Sequence, residues 1–172
     1  MATTRKKTTA TAAPALPVTS PHEDAVIRAA LAILEARLKA ATLQMSDISA
    51  ACDFVNLQIG GLDREVFAVM FLNAQNRLIA FEILFHGTLT QTSVHPREVA
   101  RRALEHNAAC VVLAHNHPSG EMRPSSADLK LTVTLEQTLR LIDVTVLDHI
   151  IAGGSKPFSF ASEGLMAARA TA

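Results

Sequence analysis

Two histidines and one aspartate are spaced in this sequence as ligands of a metal ion. His115 and His117 end an apolar run that predicts a buried strand, and because side chains alternate along a strand, both imidazoles point the same way. Asp128 falls in the first turn of the helix predicted to follow, which turns back toward the histidines. Two imidazoles and one carboxylate occupy three positions of a zinc ion and leave the fourth for water. Such a site suits hydrolysis of an amide.

The segment that carries the third ligand also has a purely structural interpretation. Ser125-x-x-Asp128 ahead of an apolar pattern is a capping box, in which each side chain bonds the backbone of the other. A pair of histidines where a strand ends and a loop begins is also found in proteins that bind no metal there. The two interpretations predict the same local structure, and they differ in whether a metal binds.

The whole pattern, from His115 to Asp128, is His-x-His, seven residues, Ser, two residues, Asp. It resembles the JAMM motif of the JAB/MPN metalloproteases. The segments His-Asn-His-Pro-Ser-Gly and Pro-Ser-x-x-Asp resemble those of the bacterial RadC branch of that superfamily. The resemblance runs from about Ala50 to about Gly164 and is to the short form, without the helix-hairpin-helix domain of longer members. It implies that His115, His117 and Asp128 bind Zn²⁺ and that Ser125 helps to stabilise the oxyanion. It also implies the MPN/JAB architecture, which is related to the deaminase fold.

A glutamate in the second predicted strand is the candidate general base. Glu82 lies among apolar residues, so it either faces solvent or is buried with a partner. JAMM enzymes supply a glutamate from an early strand upstream of His-x-His, and Glu82 matches it by position. The resemblance thus implies that Glu82 takes a proton from the zinc-activated water and passes it to the leaving amine.

Alternating helices and strands are predicted to position these residues. Helices begin at Ser20-Pro21 and at Ser46-Asp47, and a hairpin then joins the strands 65–72 and 77–85. A helix entered at His95-Pro96, the strand before His115, a helix to about Arg140 and a strand over 143–152 complete the order. We expect an α/β fold, with a mixed sheet and helices on both faces.

Two further histidines are candidates for supporting roles. His95 stands before Pro96 at a helix start, which favours a capping role or a hydrogen bond near the site. Asp148 and His149 are adjacent in a strand, so they face opposite sides and cannot both reach one site. One of them is expected to hydrogen-bond a metal ligand.

Length and composition predict one globular domain with two N-terminal additions. The chain has 172 residues, of which 49% are hydrophobic, which is enough for one core. Residues 1–20 are rich in Thr, Ala and Pro and are predicted to be a disordered tail. We predict an N-terminal helix over 21–45 and an MPN/JAB RadC-like domain over 46–172. Cys52 and Cys110 have no C-x-x-C spacing, so neither a disulfide scaffold nor a thiolate zinc site is indicated.

The charge balance argues against nucleic acid as a direct partner. Sixteen basic residues balance sixteen acidic ones, and with 4% aromatic residues the chain has few platforms on which bases could stack. No apolar run is long enough to cross a membrane and no signal peptide is recognised, so we expect a cytoplasmic protein without membrane contact.

Two hypotheses for function follow. The first is a zinc-dependent hydrolase of peptide or isopeptide bonds, whose substrate is a protein or peptide, with ubiquitin-like proteins among the candidates. The second is a non-enzymatic accessory protein associated with DNA repair, as the RadC name suggests. Metal-dependent cleavage would favour the first, and salt-sensitive binding to duplex DNA would favour the second.

Overall fold

A computed structural model describes residues 20–40, 48–87, 94–154 and 156–166. Within these residues four helices and five strands alternate largely as predicted. They are, in chain order, α1 (Pro21–Ala40), α2 (Ile48–Ile59), β1 (Val66–Leu72), β2 (Leu78–His86), α3 (Pro96–Glu105), β3 (Cys110–Asn116), α4 (Ser126–Arg140), β4 (Thr145–Ala152) and β5 (Phe158–Ser159).

The strands form one mixed sheet in the order β2-β1-β3-β4-β5. β1 pairs antiparallel with both β2 and β3, whereas β3 and β4 run parallel and are joined through α4. A parallel pair needs such a crossover because its strands begin at the same edge of the sheet. The short β5 pairs antiparallel with β4. The predicted α/β class with a mixed sheet is confirmed.

Two hydrophobic cores lie on opposite faces of this sheet. Alternate residues of β1 separate cleanly, because Ala68 and Met70 pack with α1 and α2 whereas Phe67, Val69 and Phe71 pack with α3 and α4. Both faces of the central strands are therefore covered, which explains why β1 and β3 are apolar almost throughout. The helices lie on both faces, as predicted.

Several predicted features fall outside the described residues. The N-terminal tail to residue 19, the end of the predicted helix over 41–45 and the second helix start at Ser46-Asp47 are among them, as is most of the polar stretch after β2. No helix in the part of the chain that the structure describes is both long and apolar enough to cross a membrane.

Candidate metal centre

The three predicted ligands converge at the end of β3. The Nε2 atoms of His115 and His117 lie 3.0 Å apart. The Asp128 carboxylate is 3.5 Å from the first ring, through Oδ1, and 3.7 Å from the second, through Oδ2. His115 is buried, and the other two side chains are partly buried at the surface. The structure thus brings together the residues that the sequence pattern predicted.

The capping box at the start of α4 holds the aspartate in place. Ser125 is the N-cap, and its Oγ accepts a hydrogen bond from the backbone N–H of Asp128 at 3.2 Å. In return the Ser125 N–H donates to Asp128 Oδ2 at 2.7 Å. The structural interpretation of this motif is confirmed, and it is compatible with metal binding because Asp128 Oδ1 still lies 3.5 Å from His115 Nε2.

The loop after β3 orients the second histidine. The His117 N–H donates to the carbonyl of Ala152 at 3.1 Å, which extends the pairing with β4 by one residue. Its ring Nδ1 lies 2.5 Å from the carbonyl oxygen of Glu121. Because a carbonyl only accepts, Nδ1 carries a hydrogen, and Nε2 is the ring atom that faces His115 and Asp128.

The pKa values of the three groups follow from this geometry. Burial lowers the pKa of His115 to about 4. The nearby Asp128 carboxylate is the main cause that raises the pKa of His117 above its usual value. Burial alone would raise the pKa of Asp128, but the His117 and His115 rings and the bonds from Ser125 lower it well below its usual range. The centre therefore favours an anionic carboxylate that faces positive charge.

Asp148 and His149 serve different faces of the sheet, as their adjacency predicted. Asp148 accepts bonds from the Ser159 hydroxyl at 2.6 Å and the Ala161 N–H at 2.8 Å, so it fastens the segment after β4. His149 is completely buried on the other face, and its Nε2 lies 2.8 Å from Nδ1 of His115. Burial lowers the pKa of His149 well below its usual value.

Glu82, the predicted general base, lies elsewhere. Its carboxylate accepts hydrogen bonds from Nε of Arg102 at 2.7 Å and from the Nη2 of the same guanidinium, and it lies 2.9 Å from His106 Nε2. The hydrogen bond from Arg102 is the main cause that lowers the pKa of Glu82. β1 lies between β2 and β3, so Glu82 and His115 are two strands apart. Glu82 pairs with Val69 of β1, and this residue is two positions along the strand from the partner of His115. The backbones of Glu82 and His115 are therefore about 12 Å apart. The structure therefore places Glu82 away from the three predicted ligands.

A different glutamate stands beside the ligands. The register pairs Phe67 with His115, and continued by two residues it places Glu65 opposite His117 on the same face of the sheet. The Glu65 carboxylate is close enough to contribute, as the smallest of several causes, to the raised pKa of His117. Sequence reasoning missed it because the only signal is a charge at the start of β1, and its meaning depends on the pairing with β3.

The buried Asn116 holds the segment that carries this glutamate. Its Oδ1 accepts from the Val66 N–H at 2.8 Å, and its Nδ2 donates to the carbonyls of Leu62 and Arg64 at 3.2 and 3.0 Å. The middle residue of the His-Asn-His triplet thus faces away from the ligands and fixes the backbone on either side of Glu65.

His95, the other candidate for a supporting role, is not at the metal centre. It occupies the N-cap position of α3, but its side chain makes no capping hydrogen bond. The ring instead packs edge-on against Phe85, with centroids 6.0 Å apart. A side-chain cap at His95 is therefore wrong.

The donor set fits a zinc ion. Ligand atoms about 2 Å from a tetrahedral zinc lie about 3.3 Å from one another, which is close to the separations of 3.0, 3.5 and 3.7 Å found here. A proton or a metal ion between the two Nε2 atoms, 3.0 Å apart, would satisfy both of them. A tetrahedral zinc ion held by these three residues would have a fourth position for water or substrate.

The fold and the convergent residues define an α/β domain with a candidate metal centre. The sequence model of the RadC-like JAB domain matches residues 45–165. The chain is 51% identical to the UPF0758 protein YeeS of Escherichia coli (strain K12) over 86% of this chain and 99% of that protein. It is 46% identical to YfjY of the same strain, over 89% and 94% of the two chains. A UPF0758 protein of Leptothrix cholodnii is 61% identical over 66% of this chain and 51% of its own length. The chain belongs to the RadC-like JAB domain family.

Proposed function

We propose that this chain is a zinc-dependent hydrolase of peptide or isopeptide bonds. The observation that supports the proposal best is the convergence of two imidazole nitrogens and a carboxylate on one point, with a second carboxylate, Glu65, on the same face. Zinc in such a site would acidify a water molecule and polarise the carbonyl of a bound amide.

The protein's own groups would then move the protons. Glu65 would accept a proton from the attacking water and deliver it to the amine that leaves. Glu65 immediately precedes β1, opposite His117, and its side chain is only partly buried, so a substrate bound at the ligands could reach it. Glu82 is unsuited to this task because Arg102 already holds both of its oxygens.

Ser125 would stabilise the negative charge that develops on the carbonyl oxygen. Its Oγ accepts the Asp128 N–H, so its own hydrogen can be donated outward to the substrate. This role uses the capping geometry and does not compete with it.

The substrate we propose is a protein or peptide, with ubiquitin-like proteins among the candidates. The ligands lie where a strand emerges at the surface, so an extended chain could reach them. We further propose that the protein acts in the cytoplasm.

The test is cleavage of peptide and isopeptide substrates by zinc-loaded protein. Replacing Glu65 with Gln keeps the shape but removes the base, so we expect the rate to fall by about 10²–10⁴-fold while zinc stays bound. Glu82→Gln is the matched control and should cleave like the wild type.

Two results would count against this assignment. Full activity in Glu65→Gln would exclude it as the base, and loss of activity in Glu82→Gln alone would restore the earlier candidate. A zinc-loaded wild type that cleaves none of the substrates would contradict hydrolysis.

A further inference from the structure

The buried His149 contacts a ligand without being one. Its Nε2 lies 2.8 Å from His115 Nδ1, and its Nδ1 lies 2.7 Å from the hydroxyl of Thr132. Thr132 is also buried, and it stands one helical turn after Asp128, whose carbonyl oxygen is 2.7 Å from the same hydroxyl. These contacts form a chain from the backbone of one ligand to the ring of another.

The direction of each hydrogen bond follows from the hydrogens available. The Asp128 carbonyl can only accept, so at 2.7 Å the single hydroxyl hydrogen of Thr132 must point to it. Toward His149 the hydroxyl oxygen is then an acceptor, and Nδ1 of that ring carries a hydrogen. A fully buried imidazole keeps only one hydrogen, so His149 Nε2 presents a lone pair.

The same reasoning about hydrogens then applies to the ring of His115. The lone pair of His149 Nε2 requires that His115 Nδ1 donate to it. His115 is buried too, so its own single hydrogen is on Nδ1 and its Nε2 is left with a lone pair. That Nε2 is the atom that faces His117 and Asp128.

We propose that Thr132 and His149 are positioning residues that fix the tautomer of His115, so that its Nε2 is ready to bind the metal. The inference rests on the proposed zinc site. The reverse direction, with His149 donating to His115, would put the hydrogen on His115 Nε2 and block the ligand atom. Contacts with Phe160, stacked at 4.7 Å, and with the edge of Phe67 hold the His149 ring in the required orientation.

The chain offers a matched pair of variants for the test. Thr132→Val keeps the shape of the side chain but removes the hydroxyl, so His149 loses its acceptor and the reverse direction becomes available. Thr132→Ser retains the hydroxyl. We expect zinc affinity, measured by competition with a chelator, to fall about 10- to 100-fold in Thr132→Val and to stay near the wild-type value in Thr132→Ser.

Nitrogen-15 NMR of the imidazoles in the metal-free wild type tests the tautomer directly. We expect the hydrogen of His115 on Nδ1, and in Thr132→Val a substantial share on Nε2. A wild-type hydrogen on Nε2, or unchanged zinc affinity in a folded Thr132→Val, would overturn the inference. The wild-type spectrum decides it even if the variant does not fold. A wild type that binds no zinc would instead contradict the proposed function.

Discussion

One face of the sheet carries two clusters of histidine and carboxylate, and they differ in the group that compensates the negative charge of the carboxylate. The metal end consists of His115, His117 and Asp128, and the arginine end consists of Glu82, Arg102 and His106. Both place a carboxylate within 4 Å of an imidazole nitrogen. Only the arginine end has a permanent cation, which binds the carboxylate through two nitrogens.

This difference indicates why only the first of the two clusters is a candidate metal site. At the arginine end the guanidinium neutralises Glu82 and satisfies both oxygens, so a metal ion would have to displace a bidentate partner. At the metal end the carboxylate is held by the Ser125 N–H and faces two imidazole nitrogens, so a compensating positive charge must come from a bound ion or a proton. Both ends combine a carboxylate with imidazole side chains. They differ in which group compensates the negative charge of the carboxylate.

The largest difference between the two ends is expected when the carboxylate at each end is neutralised. Asp128→Asn removes the anionic ligand and should weaken zinc binding by more than about 100-fold, since a metal ligand contributes more than the groups that support it. Glu82→Gln should leave zinc binding unchanged. Chelator competition with both variants measures the difference, and equal affinities would contradict it.

A smaller effect is expected from the cap that positions the metal end. Ser125→Ala removes the bond to the Asp128 N–H and should lower the free energy of unfolding by about 1 kcal/mol. Zinc should bind only slightly more weakly, because the Ser125 N–H still holds Asp128 Oδ2. Urea unfolding of the metal-free protein provides the measurement, with Ser126→Ala as control. An unchanged midpoint would show that the cap contributes no stability.

The smallest effect concerns the arginine end and depends on pH. The pKa of Glu82 is lowered in the folded protein, so its stabilising contribution is present above the unfolded pKa of about 4.3 and is lost as the pH falls through the folded value. At pH 7 we expect Glu82→Gln to cost less than about 1 kcal/mol, because the pair is partly exposed. In acid, the urea midpoint of Glu82→Gln should approach that of the wild type. A gap that persists there, or that appears equally in Glu163→Gln, would contradict this role for Glu82.

Local rules were sufficient to predict the metal end. Strand alternation brings His115 and His117 to one face, and the capping box brings Asp128 into the first turn of α4, so the three ligands converge without any knowledge of distant pairing. The order of helices and strands was predicted for the same reason, because periodicity and helix starts are read over short windows.

The choice between the two glutamates could not be made locally. Glu65 and Glu82 both belong to early strands, and only the central position of β1 and its register with β3 place one beside His117 and the other near α3. The contact of His149 with His115 likewise depends on the parallel pairing of β3 with β4. Long-range pairing is set by the whole core, so no short stretch of sequence contains it.

The most direct test of the central claim is the zinc content of the wild-type protein, purified without a His tag or added metal and measured by plasma mass spectrometry. The structure leads us to expect close to one zinc ion per chain. No zinc in the purified protein, and none after zinc is offered near neutral pH, would contradict a metal centre at His115, His117 and Asp128.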